Sequence, residues 1–299
     1  LASLTGNLRG QRIDGDARVE ARGDALQVQA ALALGEGRIV VDGALAPALD
    51  LDIALRTLEV APWLDGARGV LDGRLQVAGN AERPAIEADL ALLDGGWHDL
   101  ALQRLTVRGS LPARGDGRIA LRADALSQAK SRIASIELAL EGRVDRGRYT
   151  LATRGIDAPN LPAPTPGARG RLEARGAWRS SDGFERGELT LEALDGELPA
   201  LPALALAAPA TVVWRGADWS LPSPACLRLA GSARLCAEGD ADDARLSGQE
   251  LDLAWLAPFL PDDLDTPLEP RGLVTLQAAR RRVDGDVVTT ARVDAPQGR

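Results

Sequence analysis

Side chains able to do chemistry are scarce in this chain, which has two cysteines, one histidine and no methionine among 299 residues. Hydrolytic triads and most metal sites draw on histidine. His98 sits between Trp97 and Asp99, next to Gly95 and Gly96, and reads as a turn residue. Carboxylates are plentiful, but Asp262, Asp263 and Asp265 lie between Pro261 and Pro267, a setting that marks a solvated loop rather than a paired acid and base. No GxxxxGKS/T loop, no GxGxxG after a strand and no GxSxG elbow occurs. We therefore expect no catalytic residue, no metal and no cofactor, and a protein that is not an enzyme.

The cysteines carry the one local signal. Cys226 and Cys236 are centred on Gly231, so a hairpin with the loop Ala230-Gly231-Ser232 sets the two thiols opposite each other. Two readings stand: a disulfide, which persists only in an oxidising compartment such as the periplasm, or two unrelated buried thiols in a cytosolic protein. Metal or redox use would call for a tighter CxxC spacing.

Composition narrows the class. Hydrophobic residues make up 45% of the chain and charged ones 26%, enough apolar material to fold. Aromatic residues are only 3%, so the buried surface should be aliphatic. The net charge of -8 argues against a nucleic-acid partner. Arg280, Arg281 and Arg282, the one arginine run, read as a solvated turn. The apolar run Leu198 to Val213 contains Pro199, Pro202 and Pro209 and is too short to span a bilayer. It reads as a buried loop and strand. With Leu1 first and no methionine, the chain reads as an interior piece of a longer protein.

Such residues must be positioned by strands, because the dominant pattern has period two. Leu49, Leu51, Ile53 and Leu55 alternate with Asp50, Asp52 and Ala54. The same alternation runs through Leu26, Val28, Ala30, Leu32 and Leu34, through Leu71, Leu75 and Val77, through Ile86, Ala88, Leu90 and Leu92, and through Ile136, Leu138 and Leu140. Leu189 and Leu191 continue it. Between these runs, Gly35-Glu36-Gly37, Asp42-Gly43, Asp72-Gly73, Asp94-Gly95-Gly96 and Arg114-Gly115-Asp116-Gly117 read as tight turns of antiparallel hairpins. Leu100 and Leu102 occupy even positions while Leu105 and Val107 occupy odd ones, which predicts a bulge near Gln103 and Arg104.

Leu58 to Leu64 and Leu251 to Leu260 have denser apolar spacing and suggest short helical turns, while Ala123 to Leu140 fits either a helix or strands. Ala61-Pro62-Trp63-Leu64 is echoed by Ala257-Pro258-Phe259-Leu260. Four prolines between Ala158 and Gly167 mark a linker or a long loop, dividing residues 1–157 from 168–299 or interrupting one continuous structure.

The unit Leu71-Asp72-Gly73-Arg74-Leu75-Gln76-Val77-Ala78-Gly79, followed by Pro84 and the strand at Ile86, has the texture of a repeated envelope-protein strand. More specific is the order that starts at Gly187: Glu188-Leu189-Thr190-Leu191, Trp219-Ser220-Leu221-Pro222, Ala225-Cys226-Leu227, Leu235-Cys236, then Leu251-Asp252-Leu253 leading to Leu260. This succession resembles an interior stretch of the TamB translocation and assembly module family, within the AsmA-like bridge-type proteins. Arg148-Tyr149-Thr150 departs from it where relatives often carry a histidine.

The resemblance implies an all-β, elongated sheet of many short strands folded lengthwise into a taco-like trough, with one or two short helical turns. It implies a periplasmic protein held in the bacterial inner membrane by an amino-terminal anchor outside this sequence, and an outer-membrane barrel partner of the assembly-factor type. An aliphatic lining would take phospholipid acyl chains. The groove-lining candidates are Leu26, Val28, Leu32, Leu34, Leu49, Leu51, Ile53, Leu55, Leu75, Val77, Ile86, Leu90, Leu92, Ile136, Leu138, Leu140, Leu189 and Leu191. Three functions remain open: lipid transport between the membranes, assembly of outer-membrane β-barrels or autotransporters, and a structural rod whose aliphatic face is an ordinary sandwich core.

Overall fold

In the computed structural model, residues 2–129, 131–157, 170–198, 201–255, 271–283 and 286–295 are described. They form 21 strands, and the fold is all-β. The chain divides into two compact units, Leu1–Arg143 and Val144–Arg299. The proline-rich stretch 158–167 and the echo at 257–260 lie outside the described residues.

The first unit is an antiparallel meander of β1 (Ala2–Leu8), β2 (Gln11–Arg22), β3 (Ala25–Leu34), β4 (Gly37–Ala46), β5 (Leu49–Glu59), β6 (Ala67–Asn80), β7 (Arg83–Trp97), β8 (Leu100–Ala101), β9 (Arg104–Leu111), β10 (Gly117–Gln128) and β11 (Ser131–Arg143). Each strand pairs with the next, except that β8 and β9 together fill one place between β7 and β10. The break between them falls at Leu102 and Gln103, where the change of phase required it. There the Leu102 amide donates to Gly95 O at 2.9 Å and the Gln103 amide to Asp124 O at 3.1 Å. The segment from Ala123 to Leu140 is not helical, since it forms β10, a turn and β11, paired from Gly117↔Gly142 to Gln128↔Ser131.

The second unit repeats the plan with β12 (Arg146–Asp157), β13 (Gly170–Ser181), β14 (Arg186–Glu197), β15 (Leu204–Leu206), β16 (Ala210–Arg215), β17 (Asp218–Arg228), β18 (Arg234–Asp240), β19 (Asp243–Asp252), β20 (Leu273–Val283) and β21 (Asp286–Asp294). Here β15 and β16 share one place between β14 and β17. Of the run from Leu198 to Val213, residues 201–203 and 207–209 are loop and residues 204–206 and 210–213 are strand. Arg280, Arg281 and Arg282 are strand residues, not a turn. They are exposed on β20, where Arg281 pairs with Asp243 at 3.1 Å and Arg282 with Asp242 at 3.3 Å.

Short helical turns occur where the spacing tightens. The amides of Trp63 and Leu64 both donate to Val60 O, at 3.0 and 3.2 Å. Asp182–Phe184 is a 3-10 turn, and another spans residues 253–255, past which the predicted Leu251 to Leu260 element leaves the described residues.

Three expected turns are corrected. Asp42-Gly43, Asp72-Gly73 and Asp94-Gly95-Gly96 lie inside β4, β6 and β7. Gly73 has φ +147°, and a Cβ on it would stand 2.2 Å from Asp89 O of β7. Glycine is required there because the neighbouring backbone approaches, not because the chain reverses. Gly35-Glu36 does form a turn, and the chain also reverses within residues 112–116.

We expect Gly73→Ala to lower the denaturation midpoint, with a cost of about 1–3 kcal/mol for the strained backbone plus the close contact. Gly6→Ala, where a Cβ meets nothing within 4 Å, should leave the midpoint nearly unchanged. Equal midpoints for the two variants would contradict this account.

Candidate functional site

Registration brings the aliphatic positions of the first unit into rows that cross the sheet. One row takes a residue from each of ten strands: Leu4, Gly15, Leu32, Ile39, Leu55, Gly73, Leu90, Val107, Leu121 and Leu138. Two residues along, a second row runs Ala17, Ala30, Val41, Ile53, Leu75, Ala88, Gly109, Ile119 and Leu140. A third contains Val19, Val28, Gly43, Leu51, Val77, Ile86 and Leu111. On the other side of the first row lie Leu58, Leu71, Leu92, Leu105, Ala123 and Ile136. Leu34 belongs to this same face, and Leu26 and Leu49 extend it at the far end.

All sixteen lining candidates of the first unit therefore share one face. Leu34 is buried, and the others are half-buried. The opposite face carries charge. A row there reads Arg18, Gln29, Asp42, Asp52, Gln76, Glu87, Ser110, Arg118 and Glu141. Arg118 and Glu141 approach to 2.9 Å and Arg108 and Asp89 to 3.0 Å. Such exposed pairs contribute about 0–1 kcal/mol each, so they keep this face wet more than they hold it together.

The apolar face is not closed over. Among the described residues, the buried hydrophobic ones are Leu34, Leu58, Ala210, Ala233 and Val274. A sandwich core would bury one side chain in two along its strands. The aliphatic side chains shelter one another within their rows and remain reachable from one side. The depressions lined by Arg56, Arg74, Glu87 and Asp89 and by Arg171, Glu173, Asp195 and Arg228 involve charged residues and do not belong to this face.

In the second unit, Leu191 is half-buried and Leu189 is 39% exposed. Their face carries aromatic residues that alternation alone had not singled out. Tyr149, Gly176, Leu191 and Ala210 form one row, and Gly147, Trp178, Leu189 and Val212 the next. Trp214 and Trp219 pair across β16 and β17 opposite Gly187. The usable signal was Tyr149 two positions before Leu151, with Trp214 two after Val212. The Tyr149 ring covers Gly176, where a Cβ would stand 2.7 Å from the phenol oxygen, and its hydroxyl donates to Thr190 O at 3.5 Å. Burial pushes this phenol above its ordinary value, and the charge of Glu192 adds to the rise.

Cys226 and Cys236 occupy paired positions on β17 and β18 and are joined in a disulfide, with their Cα atoms 4.1 Å apart. Gly231 takes the positive φ of the turn, and the Leu229 amide closes it by donating to Ala233 O. Closing so short a loop contributes about 3 kcal/mol in the chain-entropy account. His98 lies in a turn, its amide donating to Gly66 O at 2.9 Å.

Antiparallel paired strands and an aliphatic face left open agree with the sequence comparison, in which the family described as TamB, N-terminal domain, matches residues 1–281. The chain belongs to the TamB family. TamB proteins are proteins of the cell envelope. No curated protein and no solved structure gave a match. The open face is thus the candidate site of this TamB chain, and what it offers is an aliphatic surface reachable from one side.

The single tyrosine offers a clean probe. A phenol whose folded pKa is raised stabilises the fold fully below its unfolded value, near pH 10, and that contribution is lost as pH rises through the folded value. We expect Tyr149 to ionise at higher pH in the native protein than in guanidinium, by absorbance at 295 nm. Coincident titrations would mean that the ring is not sheltered on this face.

Proposed function

We propose that this TamB chain is a non-enzymatic conduit that carries phospholipid acyl chains along its apolar face, across the periplasm between the inner and outer membranes. The observation that carries this reading is the row from Leu4 to Leu138, apolar or glycine at every one of ten strands and open on one side. Each CH2 sheltered by such a surface is worth roughly 0.8 kcal/mol against water. A row without a polar step gives an acyl chain no reason to stop at any strand. In this reading an amino-terminal segment outside the sequence anchors the protein in the inner membrane, and an outer-membrane barrel protein of the assembly-factor type receives the other end.

A second reading is assembly of outer-membrane β-barrels or autotransporters, in which an incoming strand adds to a sheet edge through main-chain hydrogen bonds that need no particular sequence.

Photocrosslinkers placed in cells at Leu26, Leu51, Leu90 and Leu138 should capture phospholipid, while Asp50 and Glu137 on the charged face should not. Adducts with unfolded outer-membrane proteins would favour assembly, and a lack of adducts would return the protein to a structural rod. Leu51→Asp should cut the lipid adducts at Leu90 several-fold and leave circular dichroism and the denaturation midpoint close to wild type, because an open face lets the carboxylate hydrate. Global unfolding of Leu51→Asp would be the behaviour of a closed core and would overturn the open-groove reading.

A further inference from the structure

Register places the disulfide on the water face of the second unit. Leu227 pairs with Leu235 and Ala225 with Ala237 on the apolar side, where Leu235 and Ala237 continue to Gly248 and Leu246 of β19. Cys226 and Cys236 alternate with these positions, so their sulfurs project from the opposite face, in a row with Ser247 and Gln277. Both cysteines are half-buried. Their neighbours in the row are small: Ser247 stands across from Cys236, and the Ala207 amide, just past the end of β15, donates to Cys226 O at 2.8 Å.

The strand that carries Cys226 is interrupted on both sides. β17 pairs with β16 over Asp218, Trp219 and Ser220, and with β15 over Leu227 and Arg228. Between these stretches Pro222 and Pro224 bring no N–H to a ladder. Toward β18 the register jumps from Leu221↔Gly239 to Ala225↔Ala237, so residues 222–224 face Glu238 alone. Four pairs then remain before the turn, and the last sets Arg228 directly opposite Arg234. Both arginines are exposed and form no ion pair among the described residues. Glu238 is engaged by Arg245 at 3.9 Å, Glu250 accepts from the Ser232 hydroxyl, and Asp195 lies beyond Ala205 in the row of Arg228. Like charges facing each other across a ladder weaken the pairing, so the disulfide bridges a hairpin that has little else to hold it.

We propose that Cys226–Cys236 is a thiol–disulfide exchange site for a dithiol protein, and that opening the bond releases β17 from β18. A thiolate of the partner attacks one sulfur from the water face. The S–S bond breaks, and its electron pair leaves on the other sulfur, which takes up a proton. The partner's second thiol then attacks the mixed disulfide and releases the remaining cysteine, which is protonated in turn. Two electrons and two protons pass to the pair, and the partner leaves as a disulfide; the reverse sequence closes the bond. Arg228 and Arg234, each two residues from a cysteine on the same face, meet the negative charge that develops on the departing sulfur. Nothing in this site depends on what the apolar face carries.

The test uses the whole chain with two probes, dithiothreitol and a thioredoxin whose second active-site cysteine is replaced by serine. Folded wild type should form a mixed disulfide with the thioredoxin variant on a non-reducing gel. Dithiothreitol should reduce the folded chain at a rate within about tenfold of that in denaturant. Arg228→Gln with Arg234→Gln should slow reduction of the folded chain several-fold and leave the rate in guanidinium chloride unchanged, where salt screens the charges. In the reduced chain, amide hydrogens of residues 225–228 and 234–237 should exchange faster by about tenfold or more, while those of β5 and β6 keep their rates. Reduction of the folded chain no faster than its global unfolding, or no mixed disulfide, overturns the exchange site. A double arginine variant reduced as fast as wild type removes the arginines from the step. Amide exchange that is unchanged on reduction, or faster throughout the chain, overturns the release of β17.

Discussion

The rest of the structure depends on register. In a strand the side chains alternate, so a slip of one residue in any hairpin would turn the whole aliphatic set of that strand toward water and break every row that crosses it. The ten-strand row from Leu4 to Leu138 exists only because nine successive pairings all hold. Turn chemistry fixes part of this, and the penalty for exposing leucine and charging the apolar face fixes the rest. An open face weakens that penalty relative to a closed core, since its residues are only half-buried. Backbone devices supply what burial does not. Glycines at 43 and 73 let adjacent backbones come close, and cross-strand pairs such as Arg122 with Glu137 at 2.8 Å oppose a shift.

Irregularities in the first unit follow from the same constraint. Register shifts occur at Leu55/Leu58 in β5 and at Arg68/Val70 in β6, and β8 and β9 are separated at Leu102 and Gln103. Ala125 is skipped between the pairs Asp124↔Ser135 and Leu126↔Ile133. These breaks lie on neighbouring strands and are bonded to one another: the Asp94 amide donates to Gln103 O and the Gln103 amide to Asp124 O. A bulge in one strand changes the phase of its side chains, and a neighbour without a matching bulge would present the wrong face. Leu58, which lies past the shift in β5, therefore still falls in line with Leu71, Leu92, Leu105 and Ile136, which lie two residues from the main row on their own strands.

The strands and the face that each aliphatic residue takes were legible because period two is a local property. Leu49 to Leu55 could be assigned without knowing any partner, and the change of parity between Leu102 and Leu105 located the interruption between β8 and β9, although the register on either side of it is the same. The hairpin around Gly231 was readable for the same reason, with its symmetry placing Cys226 against Cys236. What escaped was whatever depended on a neighbour. Gly43 and Gly73 resemble turn residues in sequence, and only the nearness of the Asp50 and Asp89 carbonyls shows them to be points of close approach. Arg280 to Arg282 looked like a turn because consecutive charges suit one, yet β20 runs on beside β19, with Asp243 at its start and Asp242 just before it facing Arg281 and Arg282. The aromatic cluster joins residues from four strands, separated in sequence by as much as Tyr149 and Trp219, and no single window contains it.

The division between aliphatic and aromatic surface explains why scarcity of aromatics does not weaken the protein. A large ring on the open face of the first unit would project well beyond its aliphatic neighbours and leave a step in the row, and its indole or phenol would need a hydrogen-bond partner that a wall of leucine and valine does not offer. At the rim of the second unit such partners exist, because turns expose carbonyls that no strand accepts. Trp178 and Trp214 satisfy their N–H groups on Val144 O and Phe184 O, and Tyr149 reaches Thr190 O across Gly176. Trp178 and Trp214 thus sit where turn carbonyls are free, whereas Tyr149 shares a carbonyl inside β14.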